Sequence, residues 1–150
     1  PAVLLGTVPE TPMLDELLDE GVEPEEAGQL RVVSIGVLVS QEMPWLAASP
    51  DGLIVAADSM EPLATVEVKS FPADISRGSP AWLQVQATMA IASDVFGRPV
   101  HWCVVVMPYK TKYVQFDESY WPQLLEKLRG FYFGSFAPMA AKKAAVKLQM

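Results

Sequence analysis

Several common chemistries are closed to this sequence because it has few of the residues they need. It contains one cysteine, Cys103, in 150 residues. No internal disulfide can form, which fits a reducing compartment. It contains one histidine, His101, so a Ser/His or Cys/His catalytic arrangement would depend on that residue, as would a histidine-rich zinc site, and both are disfavoured. No apolar run reaches the roughly 18 residues that span a membrane. No basic stretch followed by an apolar one reads as a secretory signal. The expectation is an intracellular protein with no membrane partner. The chain opens on Pro1 and not Met, as a processed or trimmed start would.

Basic residues are also scarce at the front. Residues 1–42 hold nine acids against Arg31 alone, whereas residues 97–150 hold eight bases against Asp117, Glu118 and Glu126. The net charge of −7 therefore averages an acidic front with a basic back. Local fields and not net charge decide binding to a polyanion, so nucleic acid stays open as a partner. The basic tail (Lys142, Lys143, Lys147) reads either as part of such a field or as a solvated helix end.

What is present is an ordinary globular composition, 51% hydrophobic and 19% charged, long enough for one domain over residues 1–150 with a single core. Met13–Glu20 reads as a short helix, with Leu14, Leu17 and Leu18 on one face and Gly21 after it. Arg31–Ser40 is β-branched and reads as one strand. Ser49-Pro50-Asp51-Gly52 is a compact turn. The "LIVAA" and "LATVEVKS" segments are the next strands of an antiparallel meander. The strongest helical signal follows, with Ser79 as N-cap, Pro80 at the first helical position and Gly97 at the close. Two strands around a Tyr109–Lys110 turn come next. A last helix spans about Glu118–Phe133.

In "TVEVKS", residues 65–70, alternation puts Val66 and Val68 on one face and Glu67 and Lys69 on the other. Taken alone this is an amphipathic strand with a solvated charged side. The hairpin return adds Asp51 near Glu67. Two close carboxylates repel unless neutralised, and a hard divalent cation such as Mg²⁺ (or Mn²⁺) does this with oxygen ligands, the Val68 carbonyl offering a further one. Lys69 can then orient a water or stabilise charge on a phosphate, the machinery of phosphodiester hydrolysis. On the long helix Trp82, Val85, Gln86, Met89 and Ser93 share a stripe. A Gln on that stripe must find partners. Gln86 can reach the polar site or bond to backbone, whereas Gln84, about 160° around the helix, is expected to face solvent. His101, Trp102 and Cys103 read as core or boundary residues, and Trp45 as a core plug or a stacking surface. Ser49, Ser70 and Arg77 are candidate DNA-phosphate contacts.

"SPDG" followed by "VEVK" resembles the signature of the restriction-endonuclease-like nucleases. More narrowly, "PWLAASPDGLI", "TVEVKS", "WLQVQATMAIA" and "YWPQLLEKLRGFYFGSFAP", in this order, resemble the YqaJ-like viral recombinase family, the lambda-exonuclease-like nucleases, over about residues 28–138. The resemblance implies an α/β fold with a restriction-endonuclease-like core, a central mixed sheet flanked by helices in α-β-β-β-α-β order. It implies Asp51, Glu67 and the Val68 carbonyl as metal ligands, Lys69 as the catalytic lysine and Gln86 as a supporting residue. Either Glu16 or Glu23 would supply the family's upstream acid. The implied activity is Mg²⁺-dependent digestion of double-stranded DNA from an end, 5′ to 3′, in recombination or repair. A single-strand annealing protein is the implied partner and a homo-trimer the implied assembly. An endonuclease of the same superfamily and a catalytically degenerate DNA-binding module are the alternatives.

Overall fold

A computed structural model describes residues 30–148. The helix expected at Met13–Glu20 and the candidate acids Glu16 and Glu23 lie outside the described residues. The elements are β1 (Leu30–Val33), β2 (Leu38–Val39), β3 (Ala47–Ala48), β4 (Gly52–Ala56), β5 (Pro62–Val68), α1 (Pro80–Phe96), β6 (Trp102–Met107), β7 (Lys110–Gln115), α2 (Trp121–Phe131), a π turn (Tyr132–Phe136) and α3 (Ala137–Leu148). Contacts divide the chain into two compact units, one ending at Phe116 and one beginning at Asp117.

The first unit is a mixed α/β structure. Its central sheet has the order β1-β4-β5-β6-β7. β1, β4 and β5 pair antiparallel, β5 and β6 pair parallel, and β6 and β7 pair antiparallel. The parallel pair needs a crossover, and α1 supplies it. This is the expected order of three strands, a helix and a further strand pair. The expectation of one strand over Arg31–Ser40 is corrected. β1 stops at Val33, paired with Leu53, because β4 offers little partner beyond that point. The chain then turns through Gly36, and β2 pairs with β3 as a separate ribbon.

β4 runs "GLIVA" with every residue buried, as befits an inner strand covered on both faces. One face holds Ile54, Ala64, Val66, Trp102 and Val104, with Leu30, Val32 and Tyr113 against them. α1 packs on the other face of β5 and β6, and its buried side chains include Trp82, Val85, Gln86, Met89 and Ile91. Cys103 is buried, and burial pushes its thiol up to about 12, so it is an inert part of this core. His101 stacks edge-on with Phe116 at 6.4 Å. Trp45 is half-buried.

α1 has the ends its sequence calls for. The Ser79 hydroxyl accepts the Trp82 N–H at 3.2 Å, Pro80 needs no partner at the first position, and Gly97 closes the helix at φ 63°. Near the far end, Asp94 Oδ2 accepts the Ser40 hydroxyl at 2.6 Å and the backbone N–H groups of Gln41 and Glu42 at 2.7 and 3.3 Å. One carboxylate thus ties the β2–β3 ribbon to the helix, and the Ser40 hydrogen bond leads in holding it below the usual aspartate range.

The second unit begins where Asp117 accepts the Ser119 hydroxyl at 2.6 Å and the Tyr120 N–H at 3.0 Å. The helix expected to end near Phe133 instead passes through the π turn into α3. Pro138 has no N–H and its ring would clash with the Gly134 carbonyl one turn back. A local widening by one residue lets the helix pass it, and the Ala137 N–H accordingly bonds to the Tyr132 carbonyl five residues earlier. Phe131, Phe133, Phe136 and Met139 are exposed, as are Lys142 and Lys143.

Asp94→Asn should lower stability at neutral pH by about 1 kcal/mol, since a neutral amide oxygen accepts these donors less strongly. Because the folded carboxyl titrates below its ordinary value of 3.8, the wild-type advantage holds above that value. It is lost as pH falls through the folded pKa, the difference in melting temperature between the two proteins shrinking accordingly.

Candidate active site

The sheet gathers the chemistry-bearing residues at one end. β4 runs antiparallel to β5, so its entry, Asp51, lies at the exit of β5. The Asp51 N–H donates to the Val66 carbonyl at 3.0 Å. The Asp51 Oδ2 accepts the Val68 N–H at 2.7 Å. The Asp51 side chain therefore continues the ladder where the backbone of the turn leaves it. Gly52 makes this approach possible, because a Cβ there would stand 3.1 Å from the Val33 carbonyl oxygen of β1. In a strand the N–H and C=O of one residue leave on the same side, so the Val68 carbonyl exits toward Asp51.

Glu67 sits on the face that α1 covers and is 3% exposed. Val68, on the other face, is 48% exposed. The solvated charged side does not hold for Glu67, which lies under the helix, while Val66 is in the core as read and only Val68, at the rim, is open. Lys69, its side chain mostly buried, places Nζ 3.5 Å from Glu67 Oε2. The same ammonium donates to Gln84 Oε1 at 2.8 Å, and Gln84 Nε2 donates to Glu67 Oε2 at 3.4 Å. The three side chains close a triangle. Glu67 Oε1 is left out of it, buried and with no hydrogen bond. The nearby Thr88 hydroxyl is committed to the Gln84 carbonyl at 3.0 Å. Burial raises the Glu67 carboxyl above its ordinary value, Lys69 opposes this, the Asp51 charge adds to it, and the neighbouring Thr88 hydroxyl lowers it a little. An acid with one unbonded buried oxygen, within the field of a second carboxylate, is held in a state that a cation would relieve.

The residues present fit a hard divalent ion. Among the described residues no three His, Cys, Asp or Glu side chains converge. Asp51 and Glu67 with the Val68 carbonyl thus make an oxygen set of two carboxylates, the kind that suits Mg²⁺, which keeps several waters. Soft or nitrogen-seeking metals find no ligands here.

The structure brings Asp51, Glu67, Val68 and Lys69 together. Gln86 lies deeper, under the helix. That side chain is buried and donates to the Gln115 carbonyl at 2.9 Å, so it ties α1 to the exit of β7. Of the two partners open to it, the polar site or backbone, this amide donor takes a backbone carbonyl. Gln84 is exposed as expected and still reaches Lys69, because the site lies at the helix edge, where an outward side chain can meet a long lysine. The signal for it was its place two residues before Gln86 in the first turns of the helix. Ser49 and Ser70 are exposed beside Asp51 and Lys69 in sequence. Arg77 is exposed before α1, its guanidinium 5.9 Å from the Trp82 ring.

No family model matches this sequence, and no curated protein matches it. Among solved structures, the crystal structure of an alkaline exonuclease (LHK-Exo) from Laribacter hongkongensis is similar over 91% of this chain and 69% of that one, with a TM-score of 0.49 and 19% identity.

Without divalent metal, Glu67→Gln should melt a few degrees above wild type at pH 7, about 1 kcal/mol, because it removes a charge with an unsatisfied buried oxygen. The sign follows from a folded pKa raised above 4.5: ionisation opposes folding, so the penalty is present at high pH and vanishes as pH falls below the unfolded value. Equal melting temperatures at pH 7, or a lower one for the variant, would contradict this.

Proposed function

We propose that this protein is a metal-dependent deoxyribonuclease that hydrolyses phosphodiester bonds in double-stranded DNA. The observation that carries the reading is the Glu67 carboxylate. It is buried beside Asp51, clamped on one oxygen by Lys69 and Gln84, and bare on the other. A core that needed only stability would not hold an acid this way, since an apolar residue of similar volume would do better.

A divalent ion held by Asp51, Glu67 and the Val68 carbonyl, Mg²⁺ or Mn²⁺, would polarise the phosphate and lower the pKa of a water. The chain's own groups do the rest. Lys69 carries a positive charge at the rim, where it can meet a phosphate oxygen and stabilise the charge that develops as the bond to the leaving oxygen breaks. Gln84 fixes the direction of that ammonium by accepting from it. α1 begins at the same end of the sheet, and its N-terminal dipole favours an anion there. Gln86 acts at a distance, holding α1 against β7 so that Gln84 keeps its place.

The motif order adds the finer reading: attack from a DNA end, 5′ to 3′, in recombination or repair inside the cell. A single-strand annealing protein would receive the product strand, and a trimer would keep the enzyme on its duplex.

The test is cleavage of linear and of closed-circular duplex DNA with Mg²⁺ or Mn²⁺, beside Glu67→Gln and Lys69→Ala. Degradation of the linear form alone is expected, lost by at least about 10²-fold in each variant. Nicking of the circle would replace the exonuclease reading with an endonuclease. No cleavage by wild type, or full activity in either variant, would overturn the assignment of this site.

A further inference from the structure

The sheet register extends the basic character of the site onto β7. Glu67 pairs with Val105, and Val105 pairs with Lys112. Directly paired residues share a face, so Lys112 stands on the same face as Glu67, two strands away and thus about 10 Å across the sheet. One row nearer the end, the Lys69 N–H donates to the Val106 carbonyl at 2.8 Å, and Met107 pairs with Lys110. Lys69, Met107 and Lys110 form the next row of that face. Val105 and Met107 between them are buried, while Lys110 and Lys112 are exposed, and their ammonium groups have no hydrogen bond or salt bridge among the described residues. The row therefore passes from the acid and its lysine, over an apolar step, to two free ammonium groups.

Tyr109 completes the hairpin. It is fully exposed, at 105%, and holds a left-handed φ of 68°, a conformation that glycine would adopt more readily. An aromatic ring is therefore presented to solvent at a turn where glycine would be easier. In the Asp74–Arg77 loop, Ser76 donates twice to the Asp74 carboxylate, at 2.8 and 2.9 Å. These bonds lead in lowering the Asp74 carboxyl, and Lys112 and Lys110 add to the effect. Near this end the cations are Lys69, Arg77, Lys110 and Lys112, and the acids Asp51, Glu67 and Asp74. Two of those acids are candidate ligands of a divalent ion. In a chain of net charge −7, this is a local field that attracts a polyanion.

We propose that the β6–β7 hairpin is a strand-holding element of the site, with Lys110 and Lys112 taking backbone phosphates of a DNA strand and Tyr109 stacking on a base. It rests on the nuclease reading and adds the path that the strand follows beyond the scissile bond. Alternate residues on a strand stand about 7 Å apart on one face, an interval that two neighbouring phosphates of one DNA strand can match. A row of lysines on an edge strand also discourages edge-to-edge pairing, and that role alone would give no dependence on DNA.

The experiment is equilibrium binding of a fluorescent blunt duplex, with Ca²⁺ in place of Mg²⁺, over 50–200 mM KCl (roughly the range in which phosphate contacts dominate). It compares wild type, Lys110→Ala/Lys112→Ala, Tyr109→Gly and the control pair Lys142→Ala/Lys143→Ala. Loss of two phosphate contacts should reduce the slope of log K against log salt by about 2. Tyr109→Gly should weaken binding with the slope unchanged, and because it also relieves the left-handed backbone, a folding defect would not explain the loss. The control pair should keep the wild-type slope. An unchanged slope in the hairpin double variant, or an equal fall in the control pair, would overturn the proposal. So would a wild type that binds no DNA. If the hairpin variants weaken binding as expected while wild type cuts no DNA with Mg²⁺ or Mn²⁺, the strand path stands and the nuclease reading falls.

Discussion

The arrangement depends on the burial of one carboxylate. Glu67 lies beneath α1 at 3% exposure, where an ionised group is unfavourable unless it is paired. Lys69 and Gln84 satisfy one oxygen, and the other is left bare. The Asp51 charge adds to the burial in raising the acid. Every nearby feature bears on this tension. The Val68 N–H anchors Asp51, Gly52 lets that turn lie against β1, and Ser79 starts α1 where Gln84 can close the triangle. The site is incomplete as a set of charges, and a bound cation would relieve it.

The topology explains why these groups meet. The parallel pair β5–β6 requires a crossover helix running back along the sheet, so the N-terminus of α1 and the exits of both strands share an end. Antiparallel β4 and β7 add their own N-terminal residues, Asp51 and Lys110, to the same end. In sheets with parallel strands ligands commonly sit at the carboxyl ends. Here that position holds Asp51, Glu67, Lys69 and Lys110, while the opposite end of α1 carries a structural acid, Asp94, that accepts three donors.

Much of this was legible in the sequence, and the exceptions have physical causes. Alternation in "TVEVKS" placed Glu67 and Lys69 on one face correctly, and the capping signals fixed both ends of α1. Alternation says nothing of which face a helix will cover, and β5 is buried on both: Val66 lies in the core and Glu67 beneath α1, with only Val68 open at the rim. Likewise the helical stripe through Trp82, Val85, Gln86 and Met89 is the buried one, and it gives no hint of the part that Gln84 takes. Gln86 is buried and bonded to a distant strand, whereas Gln84 is exposed and bonded to the lysine. A long side chain at the rim of a helix escapes a rule built on facing residues. The division of Arg31–Ser40 into two strands was invisible because its β-branched run is continuous, and only the short reach of β4 breaks it. The π turn, by contrast, has its cause written in Pro138.

The central claim is that Asp51 and Glu67 form a divalent-ion site completed by the bare oxygen of the buried acid. Calorimetric titration with Mn²⁺ tests it most directly, on wild type, Asp51→Asn and Glu67→Gln at neutral pH. Saturable binding by wild type, lost or strongly weakened in both variants, is the expected result. Binding that survives in Glu67→Gln, or no binding by wild type, would contradict the account.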